Sequence, residues 1–313
     1  MIEVTAAGAL TSVQTADGRP GWRHLGVPVG GAADAWSARL ANRLVGNPDD
    51  AALLELTLVG PELRFHAETA VALTGADFHA TVDGLPMTRF SGRRVRRGAL
   101  LRTGTGDGAR AYLATSGGIQ VAGVLGSMAT DLRTAFGGHE GRALRAGDRL
   151  TTGAPSGRNA RWTGRMPDGP IRIVPGPHHA LLDVSALAGP EWTVGVDADR
   201  TGARLDGNTL RAGEREVASM GIPIGAIQVP PDGRPIVMLA DRPVTGGYPV
   251  PACVIRADIG RVAALRTGDP VRFAAVSLQE ARDAYRQLED ELVALDGAGG
   301  TADDEPGWAG ALE

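Results

Sequence analysis

The sequence predicts a mainly β fold with few helices, divided into two domains and closed by a C-terminal amphipathic helix. Three observations carry this. The chain has 313 residues, which at roughly 150 residues per domain is enough for two separate cores. Aromatic residues make up only 4%, against 45 glycines and 20 prolines, a balance suited to many short strands joined by tight turns. Near the end, Leu278, Ala281, Tyr285, Leu288, Leu292 and Leu295 recur three and four apart, the spacing of one apolar helix face.

In chain order, a first helix is expected over Asp34–Gly46. Asp34 is a fitting N-cap, Trp36, Leu40 and Leu44 recur every fourth residue, and Gly46 followed by Pro48 ends the run. Leu63–His66 and Ala70–Leu73 read as short strands. Phe78–Val82 and Leu85–Met87 flank Asp83-Gly84, a hairpin turn pair. Arg110–Ala114 is a further strand. Gly153–Pro170 is rich in Gly, Pro, Ser and Arg and breaks the pattern. Alternation restarts at Ile171–Val174, and Ile227–Val229 and Ile236–Leu239 read as core strands. Ser277 and Glu280 form a capping box for the last helix.

The chain divides accordingly into a β-rich domain over 1–155 with one helix near 34–46, a linker over 156–170, a second β domain over 171–276, a C-terminal helix over 277–296 and a disordered tail over 297–313. The last helix either lies on its own domain or contacts a partner subunit. The two halves also echo each other. Leu144-Arg145-Ala146-Gly147-Asp148 matches Leu265-Arg266-Thr267-Gly268-Asp269, and each comes after a Gly-Gly loop. The echo reads either as a pseudo-duplication of related β-barrels or as a chance five-residue match.

Composition excludes several chemistries. All 32 basic residues are arginine. Without lysine there is no Schiff base, no phosphate-loop lysine and no covalently attached biotin on this chain. The single cysteine, Cys253, permits no internal disulfide. A net charge of -4 gives no reason to expect nucleic acid or an acidic membrane as partner. The first thirty residues hold no apolar run of signal-peptide length, and nothing approaches the ~20 apolar residues of a membrane span, so a cytoplasmic location is expected. Adjacent His178 and His179 point to opposite faces of an extended chain, and no metal site is expected.

Two polar, glycine-rich segments stand out as candidate sites. Gly18–Gly26 places Arg19, Arg23 and His24 in one loop of tight turns. Asp241–Pro249 directly succeeds the apolar strand at Ile236, and a loop mounted on a rigid strand is a common site location. There, Gly246-Gly247 lets backbone N–H groups approach a small anion, and the Arg242 fork suits a carboxylate or phosphate. The other reading of Asp241 and Arg242 is a structural ion pair that shapes the turn.

These segments resemble the KipA family, also called allophanate hydrolase subunit 2 or the biotin-dependent carboxyltransferase-like family, which includes the PxpC chain of 5-oxoprolinase. The resemblance runs from about residue 8 to 277. It is carried by Arg19-Pro20-Gly21-Trp22-Arg23-His24-Leu25-Gly26, Leu40–Pro48, Gly117-Gly118-Ile119, Thr130-Asp131-Leu132-Arg133, Phe136-Gly137-Gly138, Gly221–Pro230 and Leu239–Pro249. It departs where Val250 comes after Gly-Gly-Tyr-Pro, a place where the family often has lysine; an arginine or a backbone amide must then serve.

The resemblance implies a cyclophilin-like β-barrel in the C-terminal half. It also implies ATP-dependent opening of 5-oxoproline to glutamate, in a complex with a KipI-type (PxpB) subunit and a LamB/YcsF-type (PxpA) subunit. ATP with Mg is the expected cofactor, held either here or on the partner subunit. On that reading Asp241, Arg242 and His24 carry catalysis: Arg242 takes the substrate carboxylate, and Asp241 or His24 handles protons. Arg19, Arg23, Asp34, Asn42, Gln228, Thr245, Gly246, Gly247 and Tyr248 line the small-molecule site. Two other readings stay open. One is the carboxyltransferase component of a urea carboxylase-like system, with biotin arriving on another chain. The other is a non-enzymatic regulator that binds a KipI-type kinase inhibitor.

Overall fold

Alternation along Leu53–Val59 sets the plan of the first half. Leu54 and Leu56 turn to one face of their sheet, and Leu53 and Glu55 turn to the other, as strand geometry requires. The structure, a computed structural model, describes residues 1–211 and 217–297. In it this strand belongs to a five-stranded antiparallel sheet ordered Leu10–Gln14, Leu53–Val59, Thr105–Thr115, Thr69–Gly75, Gly92–Val95. The long strand Thr105–Thr115 sits at its centre, pairing Leu113 with Leu54 on one side and with Leu73 on the other. The glycine-rich start of that strand, Gly106–Gly108, lies where the register slips between Thr105 and Arg110.

A second sheet of seven strands runs Ile119–Gln120, Arg149–Thr152, Ile2–Ala6, Glu62–Phe65, Leu100–Arg102, Thr81–Val82, Leu85–Pro86. Between the two sheets lies a core that includes Val4, Leu54, Leu56, Phe65, Leu101 and Leu113. The expected hairpin is present in shortened form: Asp83 and Gly84 both take positive φ (51° and 84°) between Thr81–Val82 and Leu85–Pro86, the signature of a two-residue turn.

In the second half, Ile171–Pro175, Ala252–Val254, Ala226–Gln228, Ile236–Met238, Gly202–Asp206, Glu191–Val194 and Pro270–Ala275 form a closed barrel. Closure comes from the parallel pairing of the first strand with the last, Ile171 opposite Phe273. Closure removes exposed strand edges. The barrel interior holds Ile173, Trp192, Leu205, Ile227, Val237 and Phe273. Outside it, Met220–Gly221 and Thr245–Gly246 pair as a small two-stranded ribbon.

Four α-helices complete the described residues: α1 (Ala35–Leu44), α2 (Ser185–Ala188), α3 (Ile259–Ala263) and α4 (Leu278–Gly297). Asp34 caps α1, accepting from the Ser37 amide at 3.1 Å, and Gly46 comes after its end at φ 71°. Ser277 and Glu280 form the expected box on α4, with reciprocal bonds of 2.8 and 3.2 Å. The helix then leaves the barrel side and packs on α1. Leu292 and Leu295 join Leu40 and Leu44 in one buried cluster. Arg39 holds Glu289 through two bonds of 2.6 and 2.9 Å, and Trp36 Nε1 donates to Leu288 O at 2.9 Å. So α4 straps the barrel to the N-terminal half instead of lying on its own domain alone. Of the tail expected over 297–313, all beyond Gly297 lies outside the described residues.

Gly153–Pro170 carries little regular structure, but Trp162 anchors it. Its ring stands edge-on to Trp36 and Phe90 at 5.4 and 5.1 Å. The internal echo is a shared turn. Asp148 accepts from the Arg145 amide and Asp269 from the Arg266 amide, each at 2.7 Å. Gly147 and Gly268 adopt φ of 92° and 90°. One turn feeds an open sheet and the other feeds the barrel.

Candidate functional site

Three loops from distant parts of the chain meet where the two halves join. The first is Gly18–Gly31, pinched at its base by Arg19 N to Val29 O and Ala32 N to Thr15 O, both 2.8 Å. Gly31 (φ 81°) must be glycine, because a Cβ there would stand 2.6 Å from Gly18 N. The second loop is Ala129–Gly138, and the third is Asp241–Pro249. Tethers hold the first loop to its surroundings. Trp22 Nε1 donates to Leu125 O at 3.0 Å, and Arg23 Nη2 donates to Ile222 O and Val244 O, both at 2.9 Å.

Arg19 is fully buried at this junction. Its Nη2 donates to Ala129 O, and its guanidinium lies over the Phe136 ring at 4.5 Å. Nε and Nη1 have no acceptor. Burial lowers its pKa, against the pull of Asp131 and Asp241. A buried cationic group with unmade hydrogen bonds is expensive and needs a reason.

Asp241 is held by Arg200, not by its neighbour Arg242. Arg200 Nε and Nη2 reach its two oxygens at 2.8 and 3.0 Å. Arg200 also donates to Gly31 O at 2.6 Å and pairs with Glu55 across the junction. Glu55 in turn accepts the Ala33 amide at 2.8 Å and lies 3.9 Å from Arg110 Nε, while Arg110 Nη1 donates to Ala263 O of α3 at 2.5 Å. Burial works to raise the Glu55 carboxyl, but Arg200, then Arg110 and the Ala33 amide, hold it below its ordinary value. Burial likewise opposes the charge on Arg200, and Glu55 and Asp241 overcome it.

Arg242 is turned inward. It donates to Ile222 O at 2.9 Å, Leu239 O at 3.2 Å and Ala240 O at 3.4 Å. Burial first, then the like charge of Arg23, lowers its pKa to about 10. The structural ion pair considered for Asp241–Arg242 is therefore absent: each residue is engaged separately. Gln228 is buried with Nε2 unpartnered, and a Cβ on Gly246 would stand 2.7 Å from that nitrogen. Thr245 and Gly246 lie in the ribbon, Gly247 faces Ser219 Oγ, and Tyr248 is exposed.

The remaining sequence-predicted residues have other partners. His24 is exposed, its Nδ1 2.9 Å from Gly21 O. Asp34 is the α1 cap and also bonds Ser37 Oγ at 2.5 Å; burial pushes its pKa up against those bonds. Asn42 ties down the turn after α1, donating to Asp49 O and Ala51 O at 3.0 and 2.8 Å. Sequence reasoning does not single out Glu55, Arg110, Asp131 or Arg200 as site residues. Glu55 leaves a trace there, as a charge inside the apolar run Leu53–Val59, and Asp131 stands in the Thr130–Arg133 segment that carries the resemblance. A hollow of about 550 Å³ lies apart from these loops, between α4 and the barrel, lined by Val174, Ile224, Val254, Leu278 and Tyr285 among others.

Residues 25–275 match the family described as carboxyltransferase domain, subdomain A and B. The chain is 38% identical to the C subunit of 5-oxoprolinase from Escherichia coli, over 92% of this chain and 96% of that one. It is 35% identical to the corresponding C subunit from Haemophilus influenzae at the same coverage. Among solved structures, K. lactis urea amidolyase superposes with a TM-score of 0.86 at 30% identity, over 94% of this chain and 20% of that much longer one.

Proposed function

The chain belongs to the carboxyltransferase domain family of subdomains A and B, and we propose that it is the C subunit of an ATP-dependent 5-oxoprolinase. The observation that carries the proposal is the end-to-end likeness to two proteins of that name, 96% of each being covered. A subunit implies partner subunits, and a KipI-type and a LamB/YcsF-type chain are the ones proposed. Activity belongs to the assembled complex, which opens 5-oxoproline to glutamate while hydrolysing ATP.

The chemistry explains the need for ATP. The lactam amide is resonance-stabilised and resists water. Transfer of a phosphoryl group to its oxygen makes the carbon a good electrophile, and that step needs charge stabilisation at the oxygen. Arginine N–H groups supply it without any lysine, and Arg19 is the buried arginine at the loop junction with donors to spare. ATP with Mg is the co-substrate of the complex, held either on this chain or on the partner subunit. Arg242, anchored to three carbonyls, shapes the third loop; Asp241 faces the space beside Gly30.

The likeness to urea amidolyase favours one second reading, the carboxyltransferase component of a biotin-dependent urea system. Co-expression of this chain with its KipI-type and LamB/YcsF-type partners tests both. Glutamate formed from 5-oxoproline only with ATP, and lost when this chain is omitted, is the expected result. An intact complex that makes no glutamate, but consumes urea and bicarbonate with a biotin carrier, establishes the second reading.

A further inference from the structure

We propose that the space beside Gly30, between Arg19 and Asp241, is a receptor for the edge of a cis-amide: a carbonyl oxygen faces Arg19 Nη1 and the adjacent N–H faces Asp241 Oδ1. The identity of the ligand as 5-oxoproline rests on the reading above; its chemical class rests on this geometry.

Gly30 marks the space. A Cβ on it would lie 3.4 Å from Arg19 Nη1 and 3.7 Å from Asp241 Oδ1, with no other atom within 4 Å apart from those of Gly30 and its neighbours Val29 and Gly31. One small opening thus has a donor on one wall and an acceptor on the other. The donor is unused: Arg19 is fully buried, and its Nη1 and Nε bond nothing. The acceptor has capacity left, since Asp241 Oδ1 takes one bond, from Arg200 Nη2 at 3.0 Å, and a carboxylate oxygen has room for two. Gly30 itself is half-buried, so the opening lies near the surface although the guanidinium does not.

The neighbouring charges select among ligands. Arg19 lies near two carboxylates, those of Asp131 and Asp241, without forming an ion pair with either. Asp131 accepts the amides of Arg133 and Thr134 through one oxygen, Oδ1, both at 3.0 Å. A charged anionic group placed in this opening would meet Asp241 and be repelled, so the carboxylate of a ligand such as 5-oxoproline lies outside it and only the neutral edge enters. A neutral group with one acceptor and one donor side by side fits both walls. An ordinary trans peptide points its C=O and N–H in opposite directions. A lactam ring forces them onto one edge, and urea offers the same edge. When negative charge grows on the carbonyl oxygen, Arg19 already stands beside it in a water-poor setting, where a fixed donor is most effective.

Calorimetric binding to the assembled complex, without ATP, tests this. The probes are 5-oxoproline, 2-pyrrolidinone, N-methyl-2-pyrrolidinone, proline and urea, on the wild type and on Gly30→Ala, which fills the space and changes no charge. 2-Pyrrolidinone is expected to compete with 5-oxoproline, its N-methyl derivative to bind at least about tenfold more weakly, and proline not to compete. Gly30→Ala is expected to weaken both lactams by about tenfold or more. An N-methyl lactam that binds as well as its parent, or a folded Gly30→Ala complex with undiminished affinity, overturns the proposal. If Gly30→Ala does not fold, the probe series on the wild type decides alone. Urea binding in place of 5-oxoproline, still weakened by Gly30→Ala, upholds the receptor and removes the 5-oxoprolinase reading. Glutamate production with no dependence of binding on the lactam N–H does the reverse.

Discussion

Asp148 closes the turn before the strand Arg149–Thr152, and its surroundings set its charge. Arg142 bonds both oxygens, at 2.7 and 2.9 Å, and the Arg145 amide adds a third bond; together they hold the carboxyl at about 2. The ordinary value is about 3.9. A folded-state value below the unfolded one means stability that is fully present above about pH 3.9 and lost as pH falls toward 2. Asp148→Asn is therefore expected to flatten the fall in melting temperature between about pH 4 and 2; an unchanged slope would refute this. At the third loop, Arg242 positions by means of its fork. Arg242→Lys reaches one carbonyl in place of three, and turnover of the complex is expected to fall roughly ten- to hundredfold. Wild-type turnover would show the fork to be unnecessary. Single residues are legible in the sequence where their role is local. Asp34 is readable as a cap because the apolar period of its helix begins at Trp36, two positions on. Arg200 has no such local mark, since its partners Glu55, Gly31 and Asp241 are remote in sequence.

Strands and helices are legible as elements because their periods are local. The repeat from Leu278 to Leu295 identifies α4, and Ser277 with Glu280 identifies its start. The repeat does not say where the helix lies, because an apolar face shows that something covers it and not what. α1 covers the C-terminal part of that face, with Leu292 fully buried, while Leu278 at the start of the helix stays exposed. Leu292→Ala is expected to destabilise the chain by about 2–5 kcal/mol, read from the midpoint of a urea titration. Ser277→Ala, which removes the box, should cost about 1 kcal/mol. A change near zero for Leu292→Ala would mean that the strap contributes nothing to the fold.

On the scale of the whole molecule, two cores are joined through a buried charged network. Glu55 and Arg110 come from the N-terminal sheets, Arg200 and Asp241 from the barrel side, and Arg110 reaches across to α3. Removing one member strands the others. Arg200→Met leaves Glu55 and Asp241 without their main partner and is expected to cost about 3–5 kcal/mol. Scanning calorimetry should then resolve two transitions, one for each half, in place of a single one. A single transition at the wild-type temperature would show that the remaining links, α4, Arg23 and Arg110, couple the halves without Arg200. The network also sets the site, because Arg200 holds Gly31 of the first loop and Asp241 of the third at once. No described helix is long and apolar enough to cross a membrane.

By itself the sequence determined the β character, the places of some of the strands and of the first and last helices, and the absence of any lysine-based mechanism. Composition, turn residues and short periods act within a few positions, so they can be read along a line. The tertiary structure alone decided that Asp241 belongs to Arg200, that Arg242 faces inward, and that Arg19 is buried with its donors unused beside Gly30. Those facts depend on segments more than two hundred residues apart packing against one another, as Arg19 and Asp241 do beside Gly30, and no local pattern encodes which distant charge will arrive to meet a given side chain.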